Sequence, residues 1–178
     1  MTATLPLDVA RDRGRWRSGR GDVELGLKYR FFDDPRYRLS AAIFPRVILP
    51  TAGNGVGSGQ WAVGSGHTRL LLPLGVQQDM GQWSVFGGGG YVLNPGAGNR
   101  DFWQAGVAVT RQVNSRLSIG GEITREGPDA VGGASTTSLG VGSIVAIAPS
   151  VSVLLRGGST FSCGNTGYRS YAALGFDF

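Results

Sequence analysis

Few residues in this chain have the type and spacing to do chemistry. His67, the single histidine, lies two residues from Ser65, and a serine–histidine pair is the centre of acyl-transfer catalysis. No G-x-S-x-G elbow surrounds that serine, and neighbours two apart on one strand do not make a triad. The expected reading is a lone histidine facing a lumen or an interface, so no catalytic residue is assigned. With one histidine and one cysteine, Cys163, there is no multi-histidine or cysteine cluster for a metal and no internal disulfide. The loop Gly53-Asn54-Gly55-Val56-Gly57-Ser58-Gly59 has the glycine content of a phosphate cradle. Such a cradle sits between a strand and a helix, and no helical period follows, so it reads as a surface loop. No cofactor is expected.

The remaining chemistry is charge. The formal net charge is +5, and Lys28 is the single lysine among 17 basic residues. Arg11, Arg13, Arg15, Arg17 and Arg20 crowd into one stretch, a density that suits nucleic acid or an anionic membrane surface. A second set is spread thinly at alternate positions: Glu24, Lys28, Arg30, Arg38, Arg46, Glu122 and Arg156. What either set can do depends on the elements that carry it.

Those elements are strands. No stretch shows a 3.6-residue apolar period, whereas period 2 recurs throughout. In Asp22–Phe31 the odd positions are Val, Leu, Tyr or Phe and the even positions Asp, Glu, Gly, Lys or Arg. The same alternation runs through Trp103–Val109, Leu117–Glu126, Thr137–Ile147 and Tyr171–Phe178. It is weaker in Tyr37–Pro50, Gln60–Val76, Trp83–Leu93 and Val151–Ser162. Gln60–Val76 changes phase near Gly64–Gly66, as a bulge would make it do. With a first strand over Thr2–Val9, about ten strands result. Most are longer than the usual ~5–6 residues and match the ~9–11 of a tilted strand crossing a bilayer.

Composition agrees. Glycine supplies 31 residues, 41% of the chain is hydrophobic and 16% charged. That excludes a disordered tail, and the absence of a G-X-Y period excludes collagen. No run of ~18 apolar residues exists to form a membrane helix. Connections alternate in length for most of the chain: Ala10–Arg20 is long, Asp33–Arg36 short, Thr51–Gly59 long, Gln77–Gln82 medium, Asn94–Arg100 longer, Asn114–Arg116 short, Gly127–Ser135 long and Pro149–Ser150 short, with Cys163–Gly167 intermediate. An up-and-down barrel with loops at one end and tight turns at the other predicts that pattern. The polar faces hold mostly Gly, Ser, Thr, Ala and Gln, as a lumen does; a water-facing wall would be dense in Lys, Glu and Asp. The expected fold is therefore all-β: a single domain over residues 1–178, an up-and-down antiparallel transmembrane β-barrel. By parity the thin charge set, Glu24, Lys28, Arg30, Arg38, Arg46, Glu122 and Arg156, lines the lumen. Phe31, Trp61, Trp83, Trp103, Tyr168, Phe176 and Phe178 form the aromatic girdles at the two bilayer interfaces. The arginines from Arg11 to Arg20 then sit in the first outer loop, where lipopolysaccharide phosphates rather than nucleic acid are the expected partner.

The block Gly21-Asp22-Val23-Glu24-Leu25-Gly26-Leu27-Lys28-Tyr29-Arg30-Phe31 resembles the "GD-x-E-L-G-x-K-Y-R-F" strand of outer-membrane proteins grouped as the MetA-pathway phenol-degradation, or transporter-like, family. Leu49-Pro50-Thr51, Gly57-Ser58-Gly59-Gln60-Trp61, Asn99-Arg100-Asp101 before Phe102-Trp103, and Ser115-Arg116-Leu117-Ser118 follow in the same order. The resemblance spans about Gly21 to Phe178. It implies a bacterial outer-membrane location and a small, aromatic or hydrophobic cargo. The terminal Phe178 also resembles the C-terminal signature that the barrel-insertion machinery reads. Family members begin with a secretory signal peptide and more barrel sequence, whereas this chain starts Met-Thr-Ala-Thr-Leu-Pro-Leu without an apolar h-region. The expected account is an N-terminally shortened chain from a barrel of about twelve strands; the alternative is a complete ten-strand barrel without its leader.

The functional expectation is a narrow channel for small molecules, since ten or twelve strands leave at most a narrow path. Two alternatives stand beside it: a non-transporting structural or surface-interaction barrel, and a soluble lipocalin-like barrel with its apolar faces inward. An outer-membrane hydrolase ranks last.

Overall fold

The computed structural model describes residues 2–12, 15–52 and 66–177. Thirteen strands fill it, with no helix among the described residues: β1 (Thr2–Asp12), β2 (Arg15–Arg20), β3 (Val23–Gly26), β4 (Tyr29–Asp34), β5 (Leu39–Ile43), β6 (Arg46–Leu49), β7 (Arg69–Met80), β8 (Trp83–Leu93), β9 (Phe102–Gln112), β10 (Leu117–Glu126), β11 (Thr136–Ala148), β12 (Val151–Ser162) and β13 (Asn165–Asp177). Every pairing is antiparallel. From β7 to β13 each strand pairs with the next, β13 pairs with β1, and β1–β3–β6–β7 completes the ring. Ten strands thus close a barrel, as the periodicity predicts. β2, β4 and β5 prolong its hairpins beyond the closed ring.

The interruptions have local causes. Asp22–Phe31, one alternating strand by sequence, is divided into β3 and β4 at Leu27-Lys28. Tyr37–Pro50 is divided into β5 and β6 at Phe44-Pro45. Pro45 has no N–H to give to a ladder. Instead its carbonyl accepts from Leu27 N at 3.1 Å, while Phe44 N donates to the Pro73 carbonyl at 3.2 Å. The Phe44 ring then lies over Gly26, where any Cβ would collide with it. A register shift between Arg30 and Phe32 sets Phe31 at a bulge, so Phe32 takes the ladder position opposite Ala41.

Turn chemistry fixes the tight ends. Cys163 (φ 43°) and Gly164 (φ 77°) connect β12 to β13 with the two positive-φ residues of a type I′ hairpin. The intermediate loop expected over Cys163–Gly167 is therefore a two-residue turn, and Asn165 already pairs with Ser162. Asn114 Oδ1 accepts from the backbone of Arg116 at 2.8 Å and Leu117 at 2.9 Å. Asp34 Oδ1 does the same for Arg36 and Tyr37, at 2.9 and 3.3 Å. Such side-chain caps close turns without further packing.

Two further expectations are corrected. Ala10–Arg20 is no loop: β1 and β2 pair from Leu7↔Arg20 to Asp12↔Arg15, so the arginine-rich stretch is an extended hairpin. β7 begins at Arg69 and runs to Met80, while 60–65 of the expected Gln60–Val76 strand lie outside the described residues.

The two faces of the wall differ in burial. Leu7, Leu25, Leu72, Leu74, Val107, Ile123, Val141 and Leu155 stand 45% or more exposed. They alternate with Ile48, Leu71, Val92, Phe102, Ala108 and Ala173, all under 9%. Side chains converge on the concave side of a closed sheet and diverge on the convex side. The buried set therefore faces the lumen, and the exposed apolar set forms the outer wall. At ~3.3 Å per residue and a tilt near 45°, strands of eleven to thirteen residues span the ~25 Å apolar band of a membrane barrel.

Candidate functional site in the barrel lumen

The lumen is built from alternate positions. On β10, β11 and β12 these are Glu122, Gly140 and Gly158 in one cross-strand row, with Gly120, Gly142 and Arg156 in the next. The glycines give the charges room. Arg156 lies across Gly140, whose Cβ would stand 3.0 Å from Nε, and reaches over it to the Glu122 carboxylate two strands away. A second pair joins β6 to β3: Arg46 Nη1 donates to Glu24 Oε2 at 3.0 Å. Arg46 also stacks on Phe44, its guanidinium 5.2 Å from the ring centroid. Arg69, beside it on β7, stands 3.9 Å from the Asp22 carboxylate. The Nε atoms of Arg46 and Arg69 are buried without a hydrogen-bond partner.

Glu24, Arg46, Glu122 and Arg156 therefore occupy the lumen in two pairs, one on each side of the barrel. The other three members of the expected set belong to the β3–β4 break and the β4–β5 hairpin, where Arg30 and Arg38 lie within electrostatic reach of Asp79 on β7. Arg30 is on β4, beyond the closed ring, and pairs with Asp33 at 3.1 Å in an exposed position. Lys28 stands exposed in the break between β3 and β4. Arg38 is a turn residue with φ 49° whose carbonyl accepts from Asp79 N at 3.0 Å. Arg30 keeps the inward parity, opposite Ala42, which pairs with Gly75. Lys28 in the break and Arg38 in the turn hold no ladder position, and the Phe31 bulge shifts the alternation only beyond Arg30.

Sequence reasoning missed part of the lumen. Asp22 is buried at the bend between β2 and β3. Arg169 and Tyr171 stand opposite Gly158 and Arg156. Glu126 on β10 lies within electrostatic reach of Arg169 and Arg156 and also of Arg69 on β7, so charges from well-separated strands meet across the interior. The missed apolar lining is a row of paired residues: Leu71 opposite Val92, and Val92 opposite Phe102. All three are buried and form one cluster. Their strands place them at the loop end of the barrel, beside Arg46 and Arg69. Burial of Val92 and Phe102 reads the same as burial in a soluble core, so no sequence pattern alone marked them as lumen.

Of the girdle aromatics, Trp83 is exposed on the outer wall at the turn end and Trp103 and Tyr168 at the loop end. Phe176 pairs with Val151 at the turn end. Phe31 is exposed at its bulge. Trp61 and Phe178 lie outside the described residues, as does Ser65. His67 joins its own segment to the β8–β9 loop: its Nε2 is 2.7 Å from Asn94 Oδ1 and 3.1 Å from Asn99 Nδ2. Asn94 Nδ2 in turn donates to the carbonyls of Arg100 (3.1 Å) and Asp129 (2.8 Å). This network ties loop segments together at the mouth, a structural role for the histidine.

No family model matches the chain, and no curated protein matches it. Solved structures do. The KdgM porin in complex with disordered oligogalacturonate matches with a TM-score of 0.51 and 10% identity, covering 100% of this chain and 99% of that one. The CymD monoaromatic hydrocarbon channel gives a TM-score of 0.49 and 14% identity over 92% of this chain and 52% of that one. The chain thus spans about half the length of CymD. The translocator domain of the autotransporter NalP from Neisseria meningitidis gives 0.44 and 11%, covering 99% and 86%. The end-to-end likeness to KdgM shows that this chain has the fold of an outer-membrane β-barrel.

Proposed function

We propose that the protein is a narrow outer-membrane channel for small solutes with an apolar body and an anionic or hydrogen-bond-accepting end. One observation carries the reading: the lumen sets the apolar row Leu71–Val92–Phe102 directly beside Arg46 and Arg69, whose buried Nε atoms lack partners. An apolar wall takes a ring or chain out of water, and guanidinium groups in a confined space supply directed donors. The charge pairs Glu122–Arg156 and Glu24–Arg46 narrow the path and set its selectivity. The resemblance of Gly21–Phe31 to the phenol-degradation family supports an aromatic cargo. The arginines of the β1–β2 hairpin suit lipopolysaccharide phosphates outside the cell.

Liposome swelling tests the cargo class. Benzenesulfonate, permanently charged and aromatic, is expected to enter proteoliposomes about fivefold faster than arabinose, the equivalent of ~1 kcal/mol of apolar contact. Arg69→Gln should remove most of that preference. Equal or faster entry of the sugar through the unsubstituted protein would reject the amphipathic-channel reading.

A further inference from the structure

We propose that the outer wall carries a binding site for one anionic phospholipid, its phosphate held at Arg111 and Trp83 on the turn-side rim and an acyl chain lying in a groove that leads from there. By register, Arg111 and Trp83 are cross-strand partners next to Ile119, and all share the outward face with exposed Val107 and Val109. The Arg111 guanidinium lies 5.5 Å from the centroid of the Trp83 ring. That stack holds the guanidinium against the ring on the outward face. Among the described residues, the single carboxylate at an outward strand position is Asp34, and its Oδ1 caps a turn. A cation on a lipid-facing wall without a carboxylate needs an acceptor from the membrane, and the headgroup phosphate lies at that depth.

The groove is the second observation. A depression of about 940 Å³ is lined mostly by outward residues, among them Trp83, Arg111, Ile119, Val141, Leu155 and Leu7, and reaches inward-register Gly120, Gly142, Arg156 and Tyr171 between them. Its floor is set by small outward residues, Gly121, Ser143 and Gly157. It also has a direction. Arg111 is next to the turn-side end of β9, Ser143 is five residues before the turn-side end of β11, and Leu7 is five residues into β1. The groove therefore starts at the rim and climbs toward the bilayer centre as it crosses the strands. That is the path of an acyl chain whose headgroup sits on Arg111. The neighbouring turn adds a second stack, Arg36 over Tyr37 at 5.4 Å.

Native mass spectrometry of the refolded full chain tests this. The protein is released from micelles doped with equal amounts of phosphatidylglycerol and phosphatidylcholine of identical chains, and the ratio of single-lipid adducts is read. We expect about a fivefold excess of the phosphatidylglycerol adduct, the factor that one arginine supplies at an anionic surface. Arg111→Gln should bring the ratio to about one, and Arg125→Gln at the opposite rim should leave it unchanged. Gly157→Leu fills the groove floor and should reduce adducts of both lipids; a Cβ there meets nothing nearer than Ser170 Cβ at 3.9 Å, so the barrel tolerates it. A ratio near one in the unsubstituted chain, or an undiminished ratio in Arg111→Gln, overturns the headgroup assignment. Undiminished adducts in Gly157→Leu overturn the groove. Displacement of the lipid by inorganic phosphate at matched ionic strength would overturn a lipid as the source of the phosphate.

Discussion

Val141→Arg is expected to destabilise the protein by about 2–4 kcal/mol when it is folded in phosphatidylcholine vesicles, the cost of an arginine at mid-depth on a lipid-facing strand. Val141 is 69% exposed near the middle of β11, so in water the same change would remove little buried surface and cost almost nothing. The contrast makes the substitution decisive. Val113→Arg, in the exposed turn between β9 and β10, serves as the reference and should cost less than about 1 kcal/mol. Urea titration followed by tryptophan fluorescence reads both. Equal small costs at the two positions would mean that the apolar wall does not face lipid, which would favour the soluble-barrel alternative.

A comparable effect is expected inside. Glu122→Gln leaves Arg156, whose side chain is only 15% exposed, without its carboxylate. Breaking a fully buried pair costs ~3–5 kcal/mol. Partial access of lumen water to Glu122 reduces this, and about 2 kcal/mol is expected. Arg156→Met should cost a similar amount by stranding Glu122. The double substitution should cost clearly less than the sum, because the loss in each single variant is mostly the orphaned partner. A double-mutant cycle measured in vesicles gives the coupling directly; strict additivity would show that the two residues do not act as a pair.

How much of this was legible beforehand varies by element. The alternation is clear in β9, β10, β11 and β13, so Trp103, Ile119, Ile123 and Val141 fall on the outer wall from period 2 alone and Glu122 on the other face; in β12 it is weaker, yet it still sets Arg156 inward. Ten strands and their antiparallel order followed from the same pattern and from the loop lengths. The first half was less legible because its long strands are broken. Pro45 interrupts one hairpin arm and a bulge at Phe31 shifts the other. Lys28 falls in the break and Arg38 in a turn, so no ladder position fixes either side chain. The arginines of the β1–β2 hairpin read as a loop because their alternation is cationic rather than apolar. Lumen residues such as Val92 and Phe102 were hidden for another reason: an apolar row facing inward breaks the polar-in rule, and it does so where the proposed cargo would bind. Which glutamate meets which arginine depends on register between strands, and glycine-rich strands specify register weakly.

Single-channel recording in planar bilayers shows whether the barrel conducts. A narrow pore gives discrete conductance steps well below those of wide sixteen-strand pores, and Arg156→Met shifts the reversal potential toward cations under a salt gradient. Insertion of a heat-stable, folded barrel that shows no conductance at any voltage would contradict the channel and leave a structural barrel sealed by its own charge pairs.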